Sequence, residues 1–106
     1  MTRILLLTDN LMTRVQLESR WRKAGADVRD HEDEKADYDL LVIDLVGPDA
    51  AGRVKRLKAR HPGSRLIAFG PHVDGAAFKA AKAAGADECV ARGSVIDRVL
   101  ARIKTD

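Results

Sequence analysis

Cysteine is almost missing from this chain of 106 residues. Cys89 stands alone, so no disulfide can form within the chain. A lone thiol with nothing around it resembling a thiol active site points to a reducing, cytoplasmic setting. Aromatic residues are scarce at 4%: Trp21, Tyr38, Phe69 and Phe78. The core must therefore be built mainly from Leu, Ile, Val and Ala. No stretch approaches the ~20 consecutive apolar residues that a membrane span needs. The amino terminus has no secretory pattern, since one arginine precedes only Ile4 to Leu7. Strand one is followed by Asp9-Asn10-Leu11 rather than glycines, so there is no phosphate-cradling loop. Neither a Ser-His-Asp elbow nor a paired-cysteine metal spacing occurs. These absences leave no supported enzyme class. Charge of one sign is lacking too: 19 Lys and Arg against 16 Asp and Glu give +3, too weak alone to argue for nucleic acid.

What the chain does have is a pair of short apolar runs that each end in an aspartate. One is Ile4-Leu5-Leu6-Leu7-Thr8-Asp9, the other Leu40-Leu41-Val42-Ile43-Asp44. Continuous apolar runs of this length read as strands buried on both faces, as in a parallel sheet under helices. The carboxyl ends of such strands line the ligand crevice of open α/β sheets. If the two strands are neighbours, Asp9 and Asp44 share one rim, where mutual repulsion favours a nearby cation.

Around these runs, strand and helix patterns alternate, which predicts an α/β layer fold in one domain over 1–106. Strands are expected at 3–8, 26–29, 39–45, 65–69 and 89–91. Helices are expected at 11–24, about 50–60, 75–84 and from Ser94 onward. Asn10, Asp74 and Ser94 are the expected caps, and Gly25, Pro62-Gly63 and Gly85 the expected stops. The first helix should turn Leu11, Val15, Leu17 and Trp21 inward. The last should turn Val95, Ile96, Val99, Leu100 and Ile103 inward. Residues 31–37 are acidic and have almost no apolar face, so a loop or one turn is expected where a crossover helix normally lies.

Five βα units with acids after strands one and three resemble the receiver domain of two-component response regulators. The segment from Tyr38 to Pro48, with Gly52 beyond, is similar to that family's phosphoacceptor strand and loop, and Gly85-Ala86-Asp87 to its turn before strand five. The resemblance spans the whole chain. It implies a flavodoxin-like five-stranded parallel sheet in the order 2-1-3-4-5, with the second helix shortened or absent. It places Asp44 at the phosphoacceptor position, with Asp9, Asp44 and the Val46 carbonyl as ligands of a magnesium ion. Arg92 stands where a charge-neutralising lysine is usual. Three switch positions depart from the pattern: Thr8 replaces an acid, Gly70 a hydroxyl residue and Cys89 an aromatic.

Each residue has a plainer reading. Asp44 is a phosphoacceptor, or an acid paired with Arg92. Asp9 is a metal ligand, or serves the neighbouring helix amino terminus. The run Arg53, Lys55, Arg56, Lys58 and Arg60 is a docking patch for nucleic acid or an acidic partner, or a solvated helix face. His72 is a rim group or a surface residue, and His31 and His61 have no ligand companions. Trp21 and Cys89 read as core.

The expected function is a degenerate receiver-like signalling or protein-interaction module without a standard switch. It would meet a protein partner, or a second copy, through the 75–84 helix, the fifth strand and the last helix, with Arg98, Arg102 and Lys104 supplying charge. The alternatives are a phosphorylatable receiver using Asp44 and a nucleic-acid-binding module. No cofactor is required. With one acid of the pair missing, magnesium titration followed by chemical shift is expected to give affinity no tighter than about millimolar.

Overall fold

A computed structural model of the protein describes residues 1–70 and 75–103. The elements run β1 (Arg3–Leu7), α1 (Leu11–Lys23), β2 (Asp27–Arg29), β3 (Leu40–Asp44), α2 (Ala50–Arg60), β4 (Arg65–Gly70), α3 (Gly75–Ala84), β5 (Glu88–Ala91) and α4 (Arg92–Leu100). The strands form one sheet in the order β2-β1-β3-β4-β5, and every pairing is parallel. All five residues of β3 are buried, as its unbroken apolar run requires.

Alternation along each strand divides the apolar residues between two faces. Ile4, Leu6, Val42, Ile67, Phe69 and Val90 meet Leu17 and Trp21 of α1 and Val95 and Val99 of α4. On the other face, Leu5, Leu41, Ile43, Leu66 and Ala68 meet Val54 and Leu57 of α2 and Ala81 of α3. Trp21 is fully buried and its indole N–H donates to the Ile96 carbonyl at 3.3 Å, which ties α1 to α4. Full burial of one such apolar side chain contributes about 1.5–3 kcal/mol.

Asn10 caps α1 as expected, its side-chain oxygen accepting the Thr13 amide at 3.0 Å. Gly25 and Gly85 follow helices at φ +97° and +120°, a region that favours glycine. The inward face of α1 differs from expectation. Thr13, Leu17 and Trp21 are buried, whereas Leu11 and Val15 are 62% and 55% exposed. The bulk of Trp21 sets the rotation of the helix. Residues 13, 17 and 21 form a stripe at four-residue spacing, and 11 and 15 fall two residues, about 200°, away from it. The start of α4 also differs. Ala91 ends β5 and directly precedes the helix, with no side-chain cap. Ser94 is therefore inside the first turn and exposed rather than a cap. His72, Asp74 and Lys104 lie outside the described residues.

Between β2 and β3 there is no helix, only a short turn. The acidic segment is held by polar contacts instead. Glu32 accepts two hydrogen bonds from Arg60, at 2.6 and 2.7 Å, and meets His61 Nε2 at 2.9 Å. The Tyr38 hydroxyl accepts the Asp33 amide at 2.9 Å, and its ring stands edge-on to His61. The missing helix leaves a cleft of about 410 Å³ over β1 and β2, lined by Arg3, Asp27, Arg29, His31 and Tyr38 among others.

Burial alone would raise the Glu32 carboxyl, but hydrogen bonds from Arg60 and His61 overcome it and hold it below its ordinary 4.5. A depressed folded-state value stabilises the fold above 4.5, and that contribution disappears as pH falls through the lower folded value. Glu32→Gln is therefore expected to lower the urea midpoint at pH 7 and speed amide exchange over 31–38. The midpoint deficit should close as the pH is taken below 4.5. An equal deficit at pH 7 and pH 3 would show that the charge is not what holds the loop.

Candidate functional site

Sheet register builds the site. Leu7 stands opposite Ile43, so the next residue pair beyond β1 is Thr8 and Asp44. Asp44 is 4% exposed. A carboxylate so buried needs donors, and it has them. The Thr8 hydroxyl donates to Oδ2 at 2.7 Å, and the Val46 amide donates to Oδ1 at 3.0 Å. Arg92, the first residue of α4, brings Nη2 to 3.6 Å from Oδ2. Its Nε is buried without a partner among the described residues.

The loop beyond β3 is tightly wound. Gly47 has φ +105°, and Asp49 holds φ +60° immediately before α2. A Cβ at Gly52 would come within 2.2 Å of Asp49 Oδ1, so the Asp49 carboxylate occupies the space a side chain there would need. Arg53, one turn into α2, folds back beneath this loop. Its Nη2 donates to the Val46 carbonyl at 3.1 Å and to the Asp44 carbonyl at 3.3 Å. Its Nε is buried and has no partner among the described residues. This inward arginine was not foreseen. Its signal lay in the spacing, because Arg53 precedes the buried Leu57 by four residues and so shares its face.

Asp9 does not join the constellation. It is exposed and has no hydrogen-bond or ion-pair partner among the described residues. No group of three or more His, Cys, Asp or Glu among the described residues could hold a metal ion. Gly70 closes β4, buried and paired in register with Ala91. Cys89 on β5 is half-buried rather than deep in the core. Its thiol lies 3.6 Å from the Phe78 carbonyl, and burial pushes it above its ordinary value.

The divalent cation that the resemblance implies does not fit these residues. Thr8 takes the place of one acid, and its hydroxyl donates to an Asp44 oxygen. The other is exposed at Asp9. The Val46 carbonyl accepts from a guanidinium.

The basic run on α2 is largely spent on neighbours. Besides Arg53, Arg56 pairs with Asp49, Arg60 with Glu32, and Lys58 with Asp87 and the Ser64 carbonyl. On β5, Glu88 gathers Arg65, Arg98 and Arg102 at 2.6–2.9 Å. Burial would raise the Glu88 carboxyl, but hydrogen bonds from Arg65 and Arg98 and the Arg102 charge hold it below the ordinary carboxylate range.

No family model and no curated protein matches this chain. Solved structures do match. A response regulator protein of Burkholderia pseudomallei, with a phosphorylated aspartic acid, gives a TM-score of 0.84 at 19% identity, covering 99% of this chain and 68% of that one. An orphan response regulator of H. pylori gives 0.74 at 22% identity over 97% of both chains. A protein described as an atypical orphan response regulator with a phosphorylation-independent regulatory mechanism gives 0.73 at 23% identity, covering 96% and 92%. At these identities the likeness is one of fold. The chain has the five-stranded, flavodoxin-like fold of response regulator receiver domains.

Magnitudes rank the supports of Asp44. Hydrogen bonds to charged groups contribute about 1.5–3 kcal/mol. A partly exposed ion pair at the longer Arg92 distance contributes about 0–1 kcal/mol. Thr8→Val is accordingly expected to cost more in denaturant midpoint than Arg92→Ala. The reverse order would make Arg92 the main partner of Asp44.

Proposed function

We propose that the protein is a degenerate receiver-like signalling or protein-interaction module that docks constitutively, without a standard phosphorylation switch. The observation that carries this reading is the engagement of Asp44 by fixed donors. Both carboxylate oxygens are engaged, one by the Thr8 hydroxyl and one by the Val46 amide, with Arg92 at 3.6 Å. Hydrogen bonds to the charged form stabilise it, which lowers the nucleophilicity of the carboxylate toward an incoming phosphoryl group.

Departures elsewhere support the same reading. With Gly70 at the end of β4 there is no hydroxyl to move toward a phosphoryl group. With Cys89 on β5 there is no aromatic ring to change position in concert. A ligand that makes no differential contact with two states shifts neither. Two of the solved structures that share the fold are orphan response regulators, and one is described as phosphorylation-independent.

The proposed docking face is formed by α3, β5 and α4. Three guanidinium groups meet the single Glu88 carboxylate there, so the cluster keeps a positive surplus and suits an acidic protein surface. Nucleic acid is a poorer partner, because most of the basic residues on α2 are committed to neighbouring carboxylates and carbonyls. No helix among the described residues is long and apolar enough to cross a membrane.

Beryllium fluoride with magnesium mimics an acyl phosphate and tests the reading directly. The expected result is an unchanged oligomeric state and chemical-shift changes confined to the neighbourhood of Asp44. Incubation with a small phosphodonor should leave the intact mass unaltered. A phosphate adduct lost in Asp44→Asn, or a new dimer with shifts through α4, would overturn the proposal and restore a working switch.

A further inference from the structure

We infer that Arg53 is a built-in replacement for the divalent cation, holding the loop beyond β3 in place of a metal and excluding metal from it. The inference deepens the reading above and rests on it, since a site that needs no metal is a site without metal-dependent phosphoryl chemistry.

The chemistry follows from the donors. A hard cation seeks oxygen ligands, carboxylates and carbonyls together. Here the Val46 carbonyl, two residues beyond Asp44, accepts Arg53 Nη2 at 3.1 Å. The same nitrogen reaches the Asp44 carbonyl at 3.3 Å. One fixed positive charge thus bridges the last carbonyl of β3 and one in the β3–α2 loop, as a metal ion would gather oxygens. A guanidinium is always charged, and its fork of donors is rigid, so it fills this role at any physiological pH.

Three further observations agree. Arg53 is half-buried and shares a face of α2 with the buried Leu57, four residues on, which directs its side chain toward the β3–α2 loop. Its buried Nε carries no partner among the described residues, a cost accepted to bring the head group to the carbonyls. Thr8 takes the place of an acid and meets the Asp44 carboxylate with a hydrogen bond. The pair that would repel without a metal has become a pair that needs none.

Manganese ion, whose unpaired electrons broaden nearby amide resonances, is the probe. Wild-type protein should show no saturable broadening of the Val46 amide below about millimolar Mn²⁺. Arg53→Ala should tighten binding by about tenfold or more, because it frees the Val46 carbonyl and removes a repelling charge. Arg53→Gln keeps a donor for the carbonyls and so protects the loop; it removes only the charge and should show a smaller gain. Arg53→Lys keeps the charge and should show none. The Thr8→Asp/Arg53→Ala double variant should bind most tightly.

Saturable wild-type binding as tight as that of Arg53→Gln overturns the inference, and so does a folded Arg53→Gln with no gain. Should the neutral variants fail to fold, wild-type and Arg53→Lys titrations still decide, since tight binding by either refutes exclusion and weak binding by both is what exclusion requires. The two readings fail separately. If wild-type protein binds manganese tightly while beryllium fluoride leaves the oligomeric state unchanged, the assignment of Arg53 falls and the docking proposal stands.

Discussion

The hydrogen bond from the Thr8 hydroxyl to the buried Asp44 carboxylate sets the terms for the rim of the sheet. A carboxylate at 4% exposure is tolerable only where donors meet it. The parallel register of β1 against β3 brings residue 8 beside residue 44, so the residue at 8 decides what sort of site this is. An acid there would demand a cation. A threonine satisfies the charge directly, and the Val46 amide takes the other oxygen. The rest of the rim can then be built from arginines, at 53 and at 92, rather than from acids.

Helix α2 carries much of the remaining organisation. Its apolar positions Val54 and Leu57 face the sheet, while its cations reach out in different directions. Arg53 grips the loop before it, Arg60 holds the acidic segment between β2 and β3, and Lys58 binds Asp87 at the turn leading into β5. Asp87 also accepts the Leu66 amide at 2.8 Å, joining that turn to the start of β4. A helix that looks in sequence like a solvated basic face therefore works as a tie between three connections.

The sheet was legible in the sequence because buried parallel strands leave unbroken apolar runs, and β3 is the clearest case. The cap at Asn10, the glycines at 25 and 85 and the missing helix over 31–37 were legible for a similar reason: each follows from the local chemistry of a few residues. What was not legible depends on tertiary choice. Leu11 and Val15 look like core in a helical pattern, but Trp21 dictates which stripe of α1 faces inward. Ser94 looks like a cap, but β5 runs straight into α4 and leaves it no such position. At the site, Asp44 and Arg92 could be named as candidate partners from their strand ends. Arg53 was hidden among five basic residues, and the arginine cluster on Glu88 joins residues from β4, β5 and the end of the chain that no short motif links.

The two margins of the sheet are unlike one another. At one margin β2 is only three residues long, and its Asp27 and Arg29 bond to each other through their side chains. A short, charged outer strand is a poor template for another chain's backbone. At the other, β5 has four residues and α4 begins immediately after it. Neither margin offers the long row of open backbone groups along which sheets extend from molecule to molecule. Continuous stacking of copies into a shared sheet is thereby closed off, and recognition is left to surfaces made of side chains, where charge and shape select the partner.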